Sequence, residues 1–379
     1  MSITIDMHPK SSFVRMKSFP PAAVFLLCMT VLSTSLLHAH AANGIVLWDT
    51  LSTTNGNLES RGNWRAIPTD LLVLEKIPAK ASSDPGYYGR DYAFKGDAVV
   101  ENEKLLAFFS GEKGGMILYT KTTEPNTLTL PTPKKTAEII PMRDKEATAH
   151  LGIIRNAGDE VVLEVSFEEA ATGGSRAVFS FDKTDIVGIK PAKEMQGVRV
   201  LAPIEYCILP GFVGDDLIFG PAERSDSDSI SLLSENVLLA LINGENTALT
   251  MTWPKANQKI QLACGNEQNG KKWFRSINFE NDGESFYLAA LAAPGIWHKE
   301  NLNASFLEKD VAIKWKKPFP AKWQTELLET GTKTRFGFSE SKREIWRGVP
   351  GSYNYPVWFD GETAFYHLSK KVPPKGESV

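Results

Sequence analysis

Period-two alternation constrains this chain more than any other feature of its sequence. Val161, Leu163, Val165 and Phe167 alternate with Val162, Glu164, Ser166 and Glu168. Leu249, Met251 and Trp253 alternate with Ala248, Thr250 and Thr252. Ile260, Leu262 and Cys264 alternate with Lys259, Gln261 and Ala263, and Val311, Ile313 and Trp315 with Ala312, Lys314 and Lys316. A strand turns successive side chains to opposite faces, so each run implies one buried face and one wet face. Turn signals separate the runs: Asn156-Ala157-Gly158-Asp159, Gly173-Gly174, Asn243-Gly244, Asn269-Gly270 and Asn281-Asp282-Gly283. Asn and Gly supply the positive φ that tight turns require. Residues 321–330 fit a short helix or a strand equally well. The expected fold is all-β, built from tandem antiparallel β-sandwich units with few or no long helices after the N-terminal segment.

Two sequence pairs suggest that the units are related. Glu101-Asn102-Glu103-Lys104-Leu105-Leu106-Ala107 resembles Glu235-Asn236-Val237-Leu238-Leu239-Ala240. The strand–turn–strand of residues 154–167 resembles that of residues 279–291. The offsets, about 134 and about 125 residues, are close enough to predict an internal duplication. The expected organisation is a signal peptide at 1–42, a leading segment at 43–89, β-sandwich units at 90–191 and 192–295, and a C-terminal β-rich segment at 296–379. The final residues, Pro373 to Val379, read as a turn entering a further strand, so that segment is expected to continue past its end here.

The N-terminus follows other rules. Arg15 and Lys17 precede an apolar run from Ala22 to Leu37, and Ala39-His40-Ala41 follows it. This is the order of a secretory signal, with Met16 as a workable start and cleavage near Ala41 or Ala42. The run is short of the roughly 20 apolar residues of a bilayer span. Cys28 follows Leu27, where a lipoprotein signal needs a small residue. The mature chain is therefore expected outside the cytoplasm, periplasmic or extracellular. The most apolar later run, Val237 to Ile242, is only strand-length, so no membrane span is expected after cleavage. The net charge is −3, and the basic runs are no longer than pairs such as Lys134-Lys135, Lys271-Lys272 and Lys316-Lys317. A nucleic-acid surface normally carries a basic patch, so nucleic acid is not an expected partner.

Cys207 and Cys264 remain after cleavage. An oxidising compartment makes a disulfide between them a candidate. Two separate buried thiols is the competing reading. No Cys or His spacing suits zinc, and no metal site is expected.

The most suggestive chemistry lies between Trp346 and Glu362. Trp346, Arg347, Tyr353, Tyr355, Trp358, Asp360 and Glu362 are the candidate ligand-binding residues. Flat aromatic faces suit the C–H face of a sugar, and the charged neighbours suit its hydroxyls; ordinary packing is the competing role for such large rings. A second group is acidic: Glu205, Asp215, Asp216, Glu223, Asp226 and Asp228. Paired carboxylates serve glycoside hydrolysis, which makes Asp215, Asp216 and Asp360 candidate catalytic groups. Clustered carboxylates also suit calcium, the one cofactor to consider, although the spacing lacks the elements of an EF-hand. His298, within Trp297-His298-Lys299-Glu300, is a candidate acid or base. No nucleophile or zinc-protease motif accompanies it. Val311-Ala312-Ile313-Lys314 matches a kinase strand in letters alone, and Asn303-Ala304-Ser305 is a bare glycosylation sequon.

Four phrases carry a resemblance: Lys95 to Asn102, Met251-Thr252-Trp253-Pro254, Pro294 to Glu300, and Tyr355 to Gly361. They are similar to stretches of large, uncharacterised, exported β-rich bacterial proteins. At the level of fold the chain also resembles the supersandwich domains of glycan-active proteins. The first resemblance implies no catalytic residues, and a shared fold does not assign an activity. The leading expectation is non-catalytic binding of an extracellular glycan or an exported partner protein. The alternatives are a carbohydrate-active enzyme, hydrolase or lyase, working through paired carboxylates, and a structural cell-surface module.

Overall fold

The computed structural model describes residues 44–69 and 92–314 with short breaks in connecting segments, and beyond them the backbone of five further strands between residues 322 and 378. The expected signal peptide and Cys28 lie outside the described residues. So do Asp215, Asp216, Glu223, Asp226, Asp228 and His298, and, within the aromatic stretch, Trp346, Arg347, Tyr353, Tyr355 and Glu362.

The all-β expectation holds. Eighteen strands form one antiparallel hydrogen-bonded system. Its first half comprises β1 (Val46–Asp49), β2 (Arg65–Ala66), β3 (Ala98–Glu101), β4 (Leu105–Phe109), β5 (Met116–Lys121), β6 (Pro133–Met142), β7 (Ala149–Asn156), β8 (Val161–Phe167), β9 (Arg176–Phe181) and β10 (Ile186–Pro191). The second half comprises β11 (Gly197–Leu209), β12 (Leu217–Phe219), β13 (Ser229–Leu232), β14 (Val237–Ile242), β15 (Thr247–Thr252), β16 (Ile260–Cys264), β17 (Phe274–Glu280) and β18 (Phe286–Ala292).

The system branches at β11. Residues 197–201 lie between β6 and β17, whereas residues 204–208 pair with β14 and residues 207–209 with β12. The exchange falls at Ala202-Pro203, where the register with β17 shifts. Proline has no N–H to give a ladder, so the strand bends there and changes layer. One arm runs β2-β1-β3-β4-β5-β6-β11-β17-β16-β13. The other runs β7-β8-β9-β10-β18-β15-β14-β11-β12. A single core joins them. Phe109 of β4 meets Phe179 and Phe181 of β9 edge-on, with ring centroids 5.1 and 5.9 Å apart.

Hydrogen bonding crosses between the two expected units. β6 pairs with β11 and β10 with β18, so residues 90–191 and 192–295 share one strand system. The stretches behind the expected duplication also connect differently. Asn156 to Asp159 closes a hairpin between paired strands β7 and β8. The corresponding turn at Asn281 leads from β17 in one arm, paired with β11 and β16, to β18 in the other, paired with β10 and β15, and among the described residues these strands do not pair. The tandem arrangement is thus a proposal rather than a feature of the pairing.

Burial departs from simple alternation in two places. β8 alternates as expected, with Val161, Leu163, Val165 and Phe167 inward. β3 and β4 are buried at every position. Their inner residues join the main core, and their outer residues Val99, Leu106 and Phe108 form a second cluster with Trp64 and Tyr119. β15 is likewise buried throughout, although Ala248, Thr250 and Thr252 were expected on a wet face. Trp297 returns to cover that side, packing with Tyr206, Leu241 and Ala248.

Cys207 and Cys264 are free thiols. The register explains why. Cys264 and Ile204 both lie opposite Phe274, from strands on either side of β17, and Cys207 is further along β11. Two strand spacings are about 10 Å, beyond the roughly 7 Å that a disulfide spans between Cα atoms. Burial raises the Cys207 thiol well above its ordinary pKa.

Asparagine amides fasten the connections. Asn102 donates to the carbonyls of Asp182 and Thr184 at 2.8 and 2.7 Å, and its Oδ1 accepts from the N–H groups of Lys104 and Leu105. Asn156 reaches Ile67 and Pro68, and Asn281 reaches Ala192 and Met195. Asn102→Ala removes four hydrogen bonds from a buried side chain, leaving backbone groups unpaired. The expected loss is about 2 kcal/mol, measured as a lower urea midpoint at unchanged slope.

The C-terminal strands are β19 (Glu300–Asn301), β20 (Asp310–Lys314), β21 (Lys322–Thr330), β22 (Lys333–Ser341), β23 (Val357–Asp360), β24 (Thr363–His367) and β25 (Glu377–Ser378). They form three small antiparallel groups: β19 with β25, β21 with β22, and β20-β24-β23. Of the ambiguous stretch at 321–330, Lys322–Thr330 is therefore strand.

Candidate functional site

The candidate residues of the aromatic stretch that fall among the described ones are Trp358 and Asp360, both on β23. Its register places Trp358 opposite Phe365 and Asp360 opposite Thr363. On the other side of β24, Ala312 is opposite Phe365, Lys314 opposite Thr363, and Asp310 opposite His367. Residues directly opposite one another share a face of an antiparallel ladder, as do residues two apart on one strand. Trp358, Asp360, Thr363, Phe365, His367, Asp310, Ala312 and Lys314 therefore occupy positions on one face. The positions of the other face carry Val311, Ile313, Val357, Phe359, Ala364 and Tyr366. One face is thus mostly apolar by position, and the other mixes two aromatic rings with four charged or titratable positions.

The residues around His298 have a structural role. Trp297 donates its indole N–H toward the carbonyls of Ile242 and Thr247, at 3.3 and 3.2 Å. Lys299 reaches Glu205 at 2.6 Å, and the other oxygen of Glu205 accepts the N–H of Gly244 at 2.7 Å. Asn243, Gly244 and Glu245 all hold positive φ, +56°, +57° and +69°, within the connection between the paired residues Ile242 and Thr247. Glu205 thus couples the β14–β15 turn to the segment leading into the C-terminal strands. This carboxylate belonged to the acidic group read from the sequence, and here it acts as a clasp. Asp215 and Asp216 immediately precede β12, whose Leu217 and Ile218 are exposed. Among the described residues no group of three or more His, Cys, Asp or Glu side chains is placed to hold a metal.

A further cluster escaped the sequence reading. Glu101 at the end of β3 binds both Arg61 and Lys121 through one oxygen, Lys121 at 2.7 Å. Lys121 also donates to the carbonyl of Asn102 at 2.6 Å. Burial pulls the Lys121 ammonium below its ordinary pKa, against the opposing attraction of Glu101. Beside this triad stand Trp48 and Trp64. Trp48 is opposite Ala66 and Asp49 opposite Arg65, so Trp64 is the next residue along, diagonal to Trp48 on the same face. The Arg61 guanidinium lies 5.3 Å from the centre of the Trp64 ring. The indole nitrogens of Trp48 and Trp64, like that of Trp253, are buried and have no acceptor among the described residues. A buried donor left unpaired costs about 1–3 kcal/mol, so two side by side are unusual. Trp64 between Arg61 and Arg65, with Trp48 upstream, was the available signal, but the leading segment contained no run of alternation to draw attention to them.

No family model matches the chain, and no curated protein matches its sequence. Among the described residues no helix is long and apolar enough to cross a membrane.

Proposed function

We propose that this chain is an exported, non-catalytic β-sheet protein that binds extracellular glycan through the mixed face of β20-β24-β23. The observation that carries the reading is the register that puts Trp358 and Phe365 opposite each other, with Asp360, Thr363 and Lys314 at adjoining positions. Aromatic rings provide the flat apolar surface a sugar ring needs, and neighbouring polar groups select among its hydroxyls. Export is part of the proposal and rests on the Arg15 to Ala41 pattern. The likeness to supersandwich domains of glycan-active proteins is likewise part of the proposal.

Affinity electrophoresis of the purified full chain through gels containing a panel of polysaccharides tests the proposal. Retardation is expected on at least one glycan, with Trp358→Ala restoring free mobility on that glycan. Free mobility in every gel, or retardation equal in the Trp358→Ala chain, would overturn it.

A further inference from the structure

We infer that residues 296–299 form a releasable strap: they fasten the chain leading into the C-terminal strand groups to the main strand system, and they open without that system unfolding. The strap is independent of any role for Trp358.

Backbone pairing leaves the fastening to other contacts. Among the described residues β19 to β25 pair only with one another, and none of them pairs with β1 to β18. Side chains of the strap bridge the gap. Ile296 packs against the clusters around Tyr206 and around Leu291. Trp297 is buried, edge-on to Tyr206 with ring centroids 5.9 Å apart. Its indole N–H is shared between the carbonyls of Ile242 and Thr247, the pair that ends the β14–β15 ladder. Lys299 adds two polar ties: Nζ donates to Glu205 Oε2 at 2.6 Å, and its backbone N–H donates to Glu245 Oε1 at 3.2 Å.

The seat does not need the strap to exist. Tyr206 is on β11, Leu241 on β14 and Ala248 on β15, and these strands are held in register by one another and by β18. The strap adds no rung to their ladder, so its departure breaks no strand pairing. Openings of this local kind cost less than global unfolding. The point of control is the ion pair. Lys299 keeps 29% of its side chain exposed, whereas Glu205 keeps 9%. Water and salt therefore reach the strap's half of the pair, and a pair open to solvent is screened where an apolar core is not. Glu245 carries the other tie on a turn held at positive φ, +69°, an uncommon conformation for a residue with a side chain. The strap and this turn thus order each other.

Hydrogen–deuterium exchange of the full chain, read by mass spectrometry, tests the strap. Glu205→Gln keeps an acceptor for the Gly244 N–H and removes the charge facing Lys299. In low salt, amides of residues 296–301 are expected to exchange at least tenfold faster in Glu205→Gln, roughly the effect of losing one charge-assisted hydrogen bond. Amides of β4 and β17 should exchange at the wild-type rate. Raising NaCl to about 1 M, where screening acts within a few ångströms, should speed the strap severalfold in the wild-type chain and leave Glu205→Gln as it was. Unchanged strap exchange in Glu205→Gln would overturn the proposal, as would an equal salt response in both chains. Acceleration of β4 and β17 in step with the strap would also overturn it, by making the strap part of the cooperative core. Should Glu205→Gln not fold, as judged by circular dichroism, the wild-type salt response decides: acceleration confined to the strap supports release, and any other result overturns it.

Discussion

Replacing Asp49 by alanine is expected to lower stability by about 3–5 kcal/mol, because a buried, charged acceptor is lost and several donors lose their partner together. Asp49 is fully enclosed. It accepts the N–H groups of Leu51 at 2.8 Å, Lys95 at 3.0 Å and Gly96 at 3.1 Å, and the hydroxyl of Tyr92 at 2.8 Å. One side chain thereby joins the end of β1 to the segment entering β3. Burial by itself would raise the carboxyl pKa, but the three N–H groups and the Tyr92 hydroxyl outweigh it, and the net shift is below the ordinary 3.8. Burial and the facing carboxylate correspondingly push Tyr92 up to about 12. The sign of the pH effect follows. A carboxyl lowered in the folded state stabilises the fold above its unfolded pKa, near 4, and loses that contribution as pH falls through the folded value. Asp49→Asn lacks this titration. Urea denaturation at pH 7 and at pH 3 should therefore show a large gap between the wild-type chain and Asp49→Asn that narrows in acid. A gap that stays constant would place the stabilising interaction elsewhere.

Phe109→Ala is the second large effect, with an expected loss of about 3–5 kcal/mol from burial and cavity together. The ring is wholly enclosed and touches both Phe179 and Phe181 across the space between the arms. It is therefore a direct measure of how far the two arms depend on one another. Phe109→Leu retains most of the volume and should cost less than about 1.5 kcal/mol. Thermal denaturation should show the alanine variant melting roughly 10 °C lower, given the size of the sheet system. A loss under about 1 kcal/mol for Phe109→Ala would mean that the arms do not share their core through this contact.

The sequence revealed strands well and partners poorly. β8 begins and ends where its alternation does, and the Asn243-Gly244 hairpin is where the turn chemistry put it. Period two identifies which side chains share a face, but it contains no information about which strand lies alongside. That is why residues 90–191 and 192–295 looked separable, although β6 pairs β11 and β10 pairs β18. The same limit explains the miscast faces. Ala248 and Thr252 look like wet-face residues until the returning Trp297 and Asn236 are placed around β15. Burial there comes from residues distant in the chain, which no local pattern encodes. For the sites, residue type was legible and grouping was not. Trp358 and Asp360 stood out because they were close in sequence. Trp48, Trp64, Glu101 and Lys121 come together only because β1, β2, β3, β4 and β5 are neighbours in one sheet.

The branching strand β11 also sets a timetable. β10 cannot find its partner β18 until Ala289 is available to face Ile186, about 100 residues later in the chain. Nor can β11 settle between β6 and β17 before Phe274 to Glu280 have been made. The arms must close late, after most of the polypeptide exists. Contacts so distant along the chain slow folding. Under the export route proposed here, that delay has a use: a nascent chain unable to complete its core early stays threadable while it is carried across a membrane, and compacts on the far side.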